Sequence, residues 1–530
     1  MEGTKRKSPS LIGVFIFSLY FCIVWAAFIF QYYYEYLTQN IAHGFLLFAL
    51  SIAVSFILIV FFTTFVFRFL RKLPQYQDRE LSHGKRLLWF CIFSAISLFI
   101  LFLWYLAAYP GIFSPDSFSQ YNQAVSGEYN DWHPVWHTLV TFTLPLKLFG
   151  RPEAIVAVQM VAIALTVGYL GLTVYEYSSL RLASLSLAYL LLNPFFCRLV
   201  SYPWKDIAFG AASCCAMICA LRIYLSPQKW EKNHARLLLT SFWLANAFLF
   251  RHNGVLFSGS LLFALIFIMN KKRWIELLVM TTVLITLVQG PVYSLVGASS
   301  AGTRPVELVG LPLTVIFNVA KESPEALDEE TAAFVDASVS REILNAASSP
   351  FSFNNIKFHG RSNVSLDDYG DCLTVVKMAG KSFTAAPVVS MNALIQLTNV
   401  VYGVEGSANC IPPMEETQNP FGDRFEGNAF ILGFLQLYSS LVFRSVLRYI
   451  CYLGVALVVM LAFILARSSL CSWEDWKRII LCLPIFIHNF GTMLLLSDRG
   501  DTRFFYLTFF ICPLVVLIML KKNRAERGKI

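Results

Sequence analysis

Apolar residues fall along this chain in unbroken runs, not at the spacing of an amphipathic helix or the alternation of a half-buried strand. Runs of about 17 to 25 residues cross a bilayer as helices, because only a helix satisfies its own backbone there. They predict twelve transmembrane helices: 10–30, 44–67, 87–108, 153–175, 182–198, 206–224, 236–251, 254–270, 273–292, 447–466, 478–496 and 503–520. Two shorter apolar stretches, 134–149 and 430–445, are read as juxtamembrane or re-entrant helices at the outer interface. The expected fold class is an all-α polytopic membrane protein with about 12 transmembrane helices, outer juxtamembrane helices and one large outer loop region.

The polar positions between the runs set a sidedness. Arg68, Arg71, Lys72, Arg79, Lys85 and Arg86 lie between the second and third helices. Lys229, Lys232 and Arg236, then Lys271, Lys272 and Arg273, then Lys477 and Arg478 fill later loops, and Lys521, Lys522, Arg524, Arg527 and Lys529 the tail. All fall on one side if both termini are cytoplasmic, as the positive-inside rule expects. The chain then divides into two extra N-terminal helices (1–86), a transmembrane core (87–292) with its first outer loop at 109–152, a large extracytoplasmic region (293–446), and C-terminal helices with a basic tail (447–530). Within the outer region, Asp336 to Lys381 has weak periodicity and is expected to be mixed or irregular. Lys5, Arg6 and Lys7 before residues 11–30 look like a signal peptide, but that run is too long, and a retained first helix is expected.

Composition agrees: 57% of the 530 residues are hydrophobic and only 14% charged, against about 25% charged in soluble domains. The net charge of +9 sits in the short loops, so it reports membrane orientation and not a nucleic-acid partner. Most of the 12 cysteines lie inside apolar runs as small hydrophobes, and none has metal-site spacing. Cys372 and Cys410 share the outer region, where an oxidising compartment leaves a disulfide open. Asn363-Val364-Ser365 is a formal glycosylation sequon.

Candidate chemistry gathers at the outer ends of the helices. The loop after the third helix carries Asp116, Gln120, Asp131 and His133. A carboxylate at the membrane surface suits a catalytic base, although Pro115-Asp116-Ser117 also reads as a helix start. Lys205 and Asp206 head the sixth helix at the same face, beside Arg198, where cations suit an anionic lipid phosphate. Arg251, His252 and Asn253 lie where charge is costly unless it faces a cavity or a partner; snorkelling is the plainer alternative. Arg499 precedes the last helix and Arg503 opens it, followed by Tyr506; a helix start disfavours a cation, so phosphate binding and pairing with Asp498 or Asp501 are the two readings there. There is no GxSxG elbow, Walker loop, HExxH or GxGxxG.

In order, Ser114-Pro115-Asp116-Ser117, Trp132-His133-Pro134, Trp204-Lys205-Asp206, Arg251-His252-Asn253-Gly254 and Arg503-Phe504-Phe505-Tyr506 resemble the GT-C class of integral membrane glycosyltransferases. That class includes protein mannosyltransferases and aminoarabinose transferases. The chain is also similar to uncharacterised bacterial multi-pass membrane proteins sharing the YPG…SPDS…Q…WHP loop, over roughly residues 87–520. The class usually starts its catalytic loop after the first helix, whereas two extra helices precede it here, and Asp116 is followed by Ser117 where the class has a second acid.

The resemblance implies a transferase of a bacterial plasma membrane, taking a sugar from a polyprenyl-phosphate-linked donor to an acceptor hydroxyl of a glycan, lipid or protein, with inversion. Asp116 would be the general base, with Asp206 and His133 as further catalytic groups. Gln120, Lys205, Arg251, His252, Asn253, Arg499, Arg503 and Tyr506 would bind substrate. A divalent metal is left open, with Asp116, Asp206 and His133 as its ligands if one binds. A surface-polysaccharide ligase or polymerase, or a transporter or flippase, is the alternative. Transporters, however, place polar groups mid-membrane on broken helices.

Overall fold

The computed structural model describes residues 10–299, 305–346, 366, 369–403, 421, 426–469, 471–495 and 502–521. Among them there is no strand beyond two isolated bridges, and the molecule is helical throughout. The chain opens with α1 (Leu11–Gln39), α2 (Ile41–Lys72), α3 (His83–Ala107), α4 (Pro115–Ser126) and α5 (Glu153–Tyr177). It continues with α6 (Leu180–Leu191), α7 (Lys205–Leu225), α8 (His234–Leu249), α9 (Val255–Leu265) and α10 (Lys271–Leu287). Next come α11 (Gly310–Glu322), α12 (Glu329–Ser338), α13 (Tyr369–Ala385) and α14 (Pro387–Tyr402). The last four are α15 (Ala429–Arg444), α16 (Leu453–Arg467), α17 (Trp473–Leu494) and α18 (Leu507–Leu520).

Every one of the twelve expected spans contains a helix, but they differ in length. Among the described residues, eight helices are long and apolar enough to cross a membrane. The other four, α6, α8, α9 and α16, have 12, 16, 11 and 15 residues. At about 1.5 Å per residue they fall short of a hydrocarbon core of roughly 30 Å. The cause is local in α6: Asn193 accepts the N–H groups of Phe195 and Phe196 and starts a separate short helix at Pro194, whose ring nitrogen cannot continue the previous ladder.

Within residues 336–381, expected to be mixed or irregular, the structure is helical from Tyr369 onward, in the helix Tyr369–Ala385. Its buried Cys372, Val375, Met378 and Ala379 recur at helical spacing and pack with Leu313, Ile316 and Phe317 of α11 in a separate small core. Helices Gly370–Ala385 and Pro387–Tyr402 meet at 120° and together form a ninth apolar candidate span. Cys410, the second cysteine of the disulfide left open with Cys372, and the sequon at Asn363 lie outside the described residues.

The centre of the molecule is α7 and α18, nearly all of whose side chains are buried. Around them α3 packs along α5, and α8 lies against α7. One end of this bundle is closed by cations on helix carbonyls. Arg71 donates to Ala466 O, Arg467 to Leu70 O and Met519 O, Arg79 to Ser178 O, and Arg478 to Lys521 O. These are the C-terminal carbonyls that a helix cannot satisfy itself, at the end where the dipole favours positive charge. Glu176 completes this end by pairing with both Arg86 and Arg222. The opposite ends of α3, α5, α7 and α18 carry the candidate chemistry.

Candidate functional site

The loop after α3 turns sharply at Gly111, which has φ +130°; a Cβ there would lie 2.4 Å from Val156 Cγ2 of α5. The turn delivers Ser114 as the cap of α4, accepting the Ser117 N–H, with Pro115 in the first turn. Asp116 therefore stands at the start of α4, above the buried start of α7. Lys205 and Asp206 occupy the first turn of α7. A short 3-10 turn at His252–Gly254 links α8 to α9, and Gly254 is required because a Cβ would lie 2.2 Å from Ala247 O. That close approach aims Arg251 back at α7. A second 3-10 turn, Thr502–Phe505, places Arg503 just ahead of α18.

These four segments bring together two carboxylates, two arginines and a lysine. Arg251 Nη1 pairs with Asp206 Oδ1 at 2.6 Å, and both side chains are almost wholly buried. Arg251 also donates to Phe504 O at 2.8 Å and lies over the Phe504 ring. Arg503 Nη1 pairs with Asp116 Oδ2 at 3.0 Å, while its Nε stands 4.0 Å from Asp206 Oδ2. Asp116 is the accessible carboxylate, 38% exposed against 2% for Asp206.

Lys205 differs from the two arginines. Its Nζ rests on an imidazole instead of a carboxylate, 3.2 Å from His133 Nδ1. Burial first, then Lys205, holds the His133 imidazole down to about 3, so the ring is neutral at physiological pH. With the ammonium donating to Nδ1, the ring proton belongs on Nε2, which faces Asp116 Oδ1 at 4.0 Å. Burial pushes the Asp116 carboxyl up, but Arg503, His133 and Lys205 together outweigh it and hold the group below its ordinary value. With His133 neutral, the basic groups Lys205, Arg251 and Arg503 outnumber the carboxylates Asp116 and Asp206.

The donor set does not fit a divalent cation. Arg503 spans both carboxylates, Arg251 takes Asp206, and the free nitrogen of His133 is turned onto an ammonium. Among the described residues no group of three or more His, Cys, Asp or Glu is placed to hold a metal ion.

The other sequence-predicted residues take varied places. Gln120 is buried, with its amide nitrogen on His137 Nδ1 and Thr138 Oγ1. Tyr506 is buried and stacked on Phe196 at 5.0 Å, with its hydroxyl donating to Phe196 O. Asn253 donates to Thr492 Oγ1, and His252 is exposed. Arg499 lies outside the described residues. Trp204 is visible in the sequence only as a motif letter. In the structure its ring lies between Tyr202, stacked at 4.2 Å, and the Arg503 guanidinium at 4.6 Å, and its Nε1 donates to Ser114 Oγ at 2.7 Å. His488 of α17, hydrogen-bonded to Phe504 O, has no sequence signal beyond being a histidine in an apolar run.

A partly open cavity of about 460 Å³ lies among α3, α5, α7 and α8. It is lined mainly by apolar groups, among them Val158, Ile163, Ala208, Ala212, Trp243 and Phe250. Ala208 lies two residues past Asp206 and Phe250 precedes Arg251, but no side chain of the ionic cluster lines the cavity.

No protein-family model and no curated protein matches the chain. Among solved structures it is similar to the crystal structure of ArnT from Cupriavidus metallidurans bound to undecaprenyl phosphate. The two share 15% identity at a TM-score of 0.32, over 81% of this chain and 77% of that one.

Proposed function

We propose that this chain is a membrane glycosyltransferase that takes a sugar from a polyprenyl-phosphate donor at the outer face of the membrane and passes it to an acceptor hydroxyl. The observation carrying this reading is Lys205, paired with a neutral imidazole inside a cluster whose basic groups outnumber its carboxylates. Such a site calls for an anion, and the apolar cavity along α7, the helix that starts with Lys205 and Asp206, suits the hydrocarbon tail of one. A lipid phosphate meets both demands.

In the proposed reaction the acceptor oxygen attacks the anomeric carbon as the carbon–oxygen bond to phosphate breaks, and that electron pair stays on the phosphate oxygen. Asp116 takes the acceptor's proton. Lys205 and Arg503 stabilise the charge growing on the phosphate, with Arg503 capable of two parallel bonds. Attack opposite the leaving phosphate inverts the anomeric centre. The Nε2–H of His133 is positioned to orient the acceptor between itself and Asp116. Asp206 acts indirectly, by holding Arg251 and the Phe504 turn.

The test is transfer from a polyprenyl-phosphate sugar by purified protein. Asp116→Asn is expected to lower turnover about 10²-fold or more while expression and membrane insertion stay unchanged. Retained turnover would remove Asp116 from the base role. Because the donor set fits guanidinium groups, transfer is also expected to survive EDTA; loss restored by added Mg²⁺ or Mn²⁺ would contradict that reading.

A further inference from the structure

Arg503 holds two positions at once. Its Nη1 is on Asp116 Oδ2 at 3.0 Å, the closest partner of that carboxylate, and its face is stacked on Trp204 at 4.6 Å. The same guanidinium is the cation nearest the accessible carboxylate, so an anion entering beside Lys205 competes with Asp116 for it. A carboxylate bound to arginine is a poor proton acceptor, since the guanidinium stabilises its charged form. Buried Asp206 stays behind Arg503 at 4.0 Å, close enough to keep the side chain in place when its bond to Asp116 is given up.

We infer that the donor's phosphate switches the site on by drawing Arg503 from Asp116, so that the base is released only when the lipid phosphate is seated. This rests on the proposed glycosyltransferase reading and adds an order of events: phosphate first, proton acceptor second. Before donor binding, Asp116 is quenched and its proton affinity is low. After binding, Arg503 is shared with the phosphate, and Asp116 regains the basicity that acceptor attack needs. Trp204 serves as the rail, because its ring contacts the guanidinium while its Nε1 is tied to Ser114 Oγ at the cap of the Asp116 helix.

The experiment is a double-mutant cycle on binding, read without any sugar transfer. Titrate the protein in detergent with a polyprenyl monophosphate carrying no sugar, and separately with inorganic phosphate, for wild type, Asp116→Asn, Arg503→Gln and the pair. Competition for Arg503 predicts that Asp116→Asn tightens both probes about threefold or more when Arg503 is present and not at all when it is combined with Arg503→Gln. Equal tightening with and without the arginine means simple charge repulsion and overturns the switch, as does no tightening in either case. Binding of the lipid probe with an additive cycle leaves the donor reading standing while the switch falls. No binding of either probe to any variant overturns both. In a transfer assay, the acid limb of kcat, which reports the donor complex, is expected above that of kcat/KM, which reports the free protein; coincident limbs also overturn the switch.

Discussion

Asp206 and Arg251 form a pair with side chains only 2% and 7% exposed. Removing one partner leaves a buried charge alone, a loss of about 3–5 kcal/mol. Arg251→Ala should therefore lower the thermal midpoint clearly, whereas Asp116→Asn at the exposed rim should barely move it; comparable losses would contradict this division between scaffold and site. The titrations have definite signs. Asp116 sits below its ordinary 3.8, so its pairing adds stability that is present above that value and fades as pH falls through the folded one. His133, at about 3 folded against 6.5 unfolded, makes the unfolded chain bind the proton first, so stability declines as pH drops from 6.5 toward 3. The pH profile of kcat/KM should accordingly show no histidine limb near 6.5; a limb there that His133→Gln abolishes would place a titrating imidazole in the site.

Local geometry carries the same logic to the elements. Gly254 faces Ala247 O at 2.2 Å from the position of a Cβ, and it is backbone that stands in the way. Gly254→Ala must push α9 off α8 and swing Arg251 from Asp206. Loss of folding yield or of donor binding is expected, and a variant with wild-type stability and activity would refute the assignment. Much of this scale is legible in the sequence. Ser114 with Pro115 announces the start of α4, and the twelve apolar runs each hold a helix. Helix length is less legible. Asn193-Pro194 cuts a continuous apolar run because capping and a missing N–H outweigh hydropathy. The helix Tyr369–Ala385 escapes a reading by periodicity because its buried stripe of small and sulfur-bearing residues is weakly apolar and is interrupted by polar faces.

Across the whole molecule, the N-terminal hairpin does more than add two crossings. Both helices run past their expected limits, to Gln39 and Lys72, and meet at Asn40. Phe30 and Leu37 of α1 pack on Ile395 of α14, and Tyr34 donates to Glu322 of α11, so the hairpin braces the helices of the region between the tenth and fifteenth elements. Phe30→Ala with Leu37→Ala should speed amide exchange over residues 387–402 without changing exchange in α7; unchanged protection would show that α14 stands without the hairpin. At the opposite end, arginines on the C-terminal carbonyls of these helices lock α2, α16, α17 and α18 together.

By itself the sequence determined that the chain is a helical membrane protein, where its apolar helices lie, and that Asp116, Asp206, Arg251 and Arg503 are the charges to watch. Those follow from local physics: apolar run length, capping, and the cost of charge near a bilayer. Only the tertiary structure decided what each charge does. Asp206 and Arg251 are spent on each other, Asp116 is reachable but held by Arg503, and Lys205 rests on a neutral His133. Gln120 and Tyr506 turn inward for the same reason. Partners brought together from residues 116, 133, 205, 251 and 503 are set by packing over long chain separations, and no spacing along the chain records them.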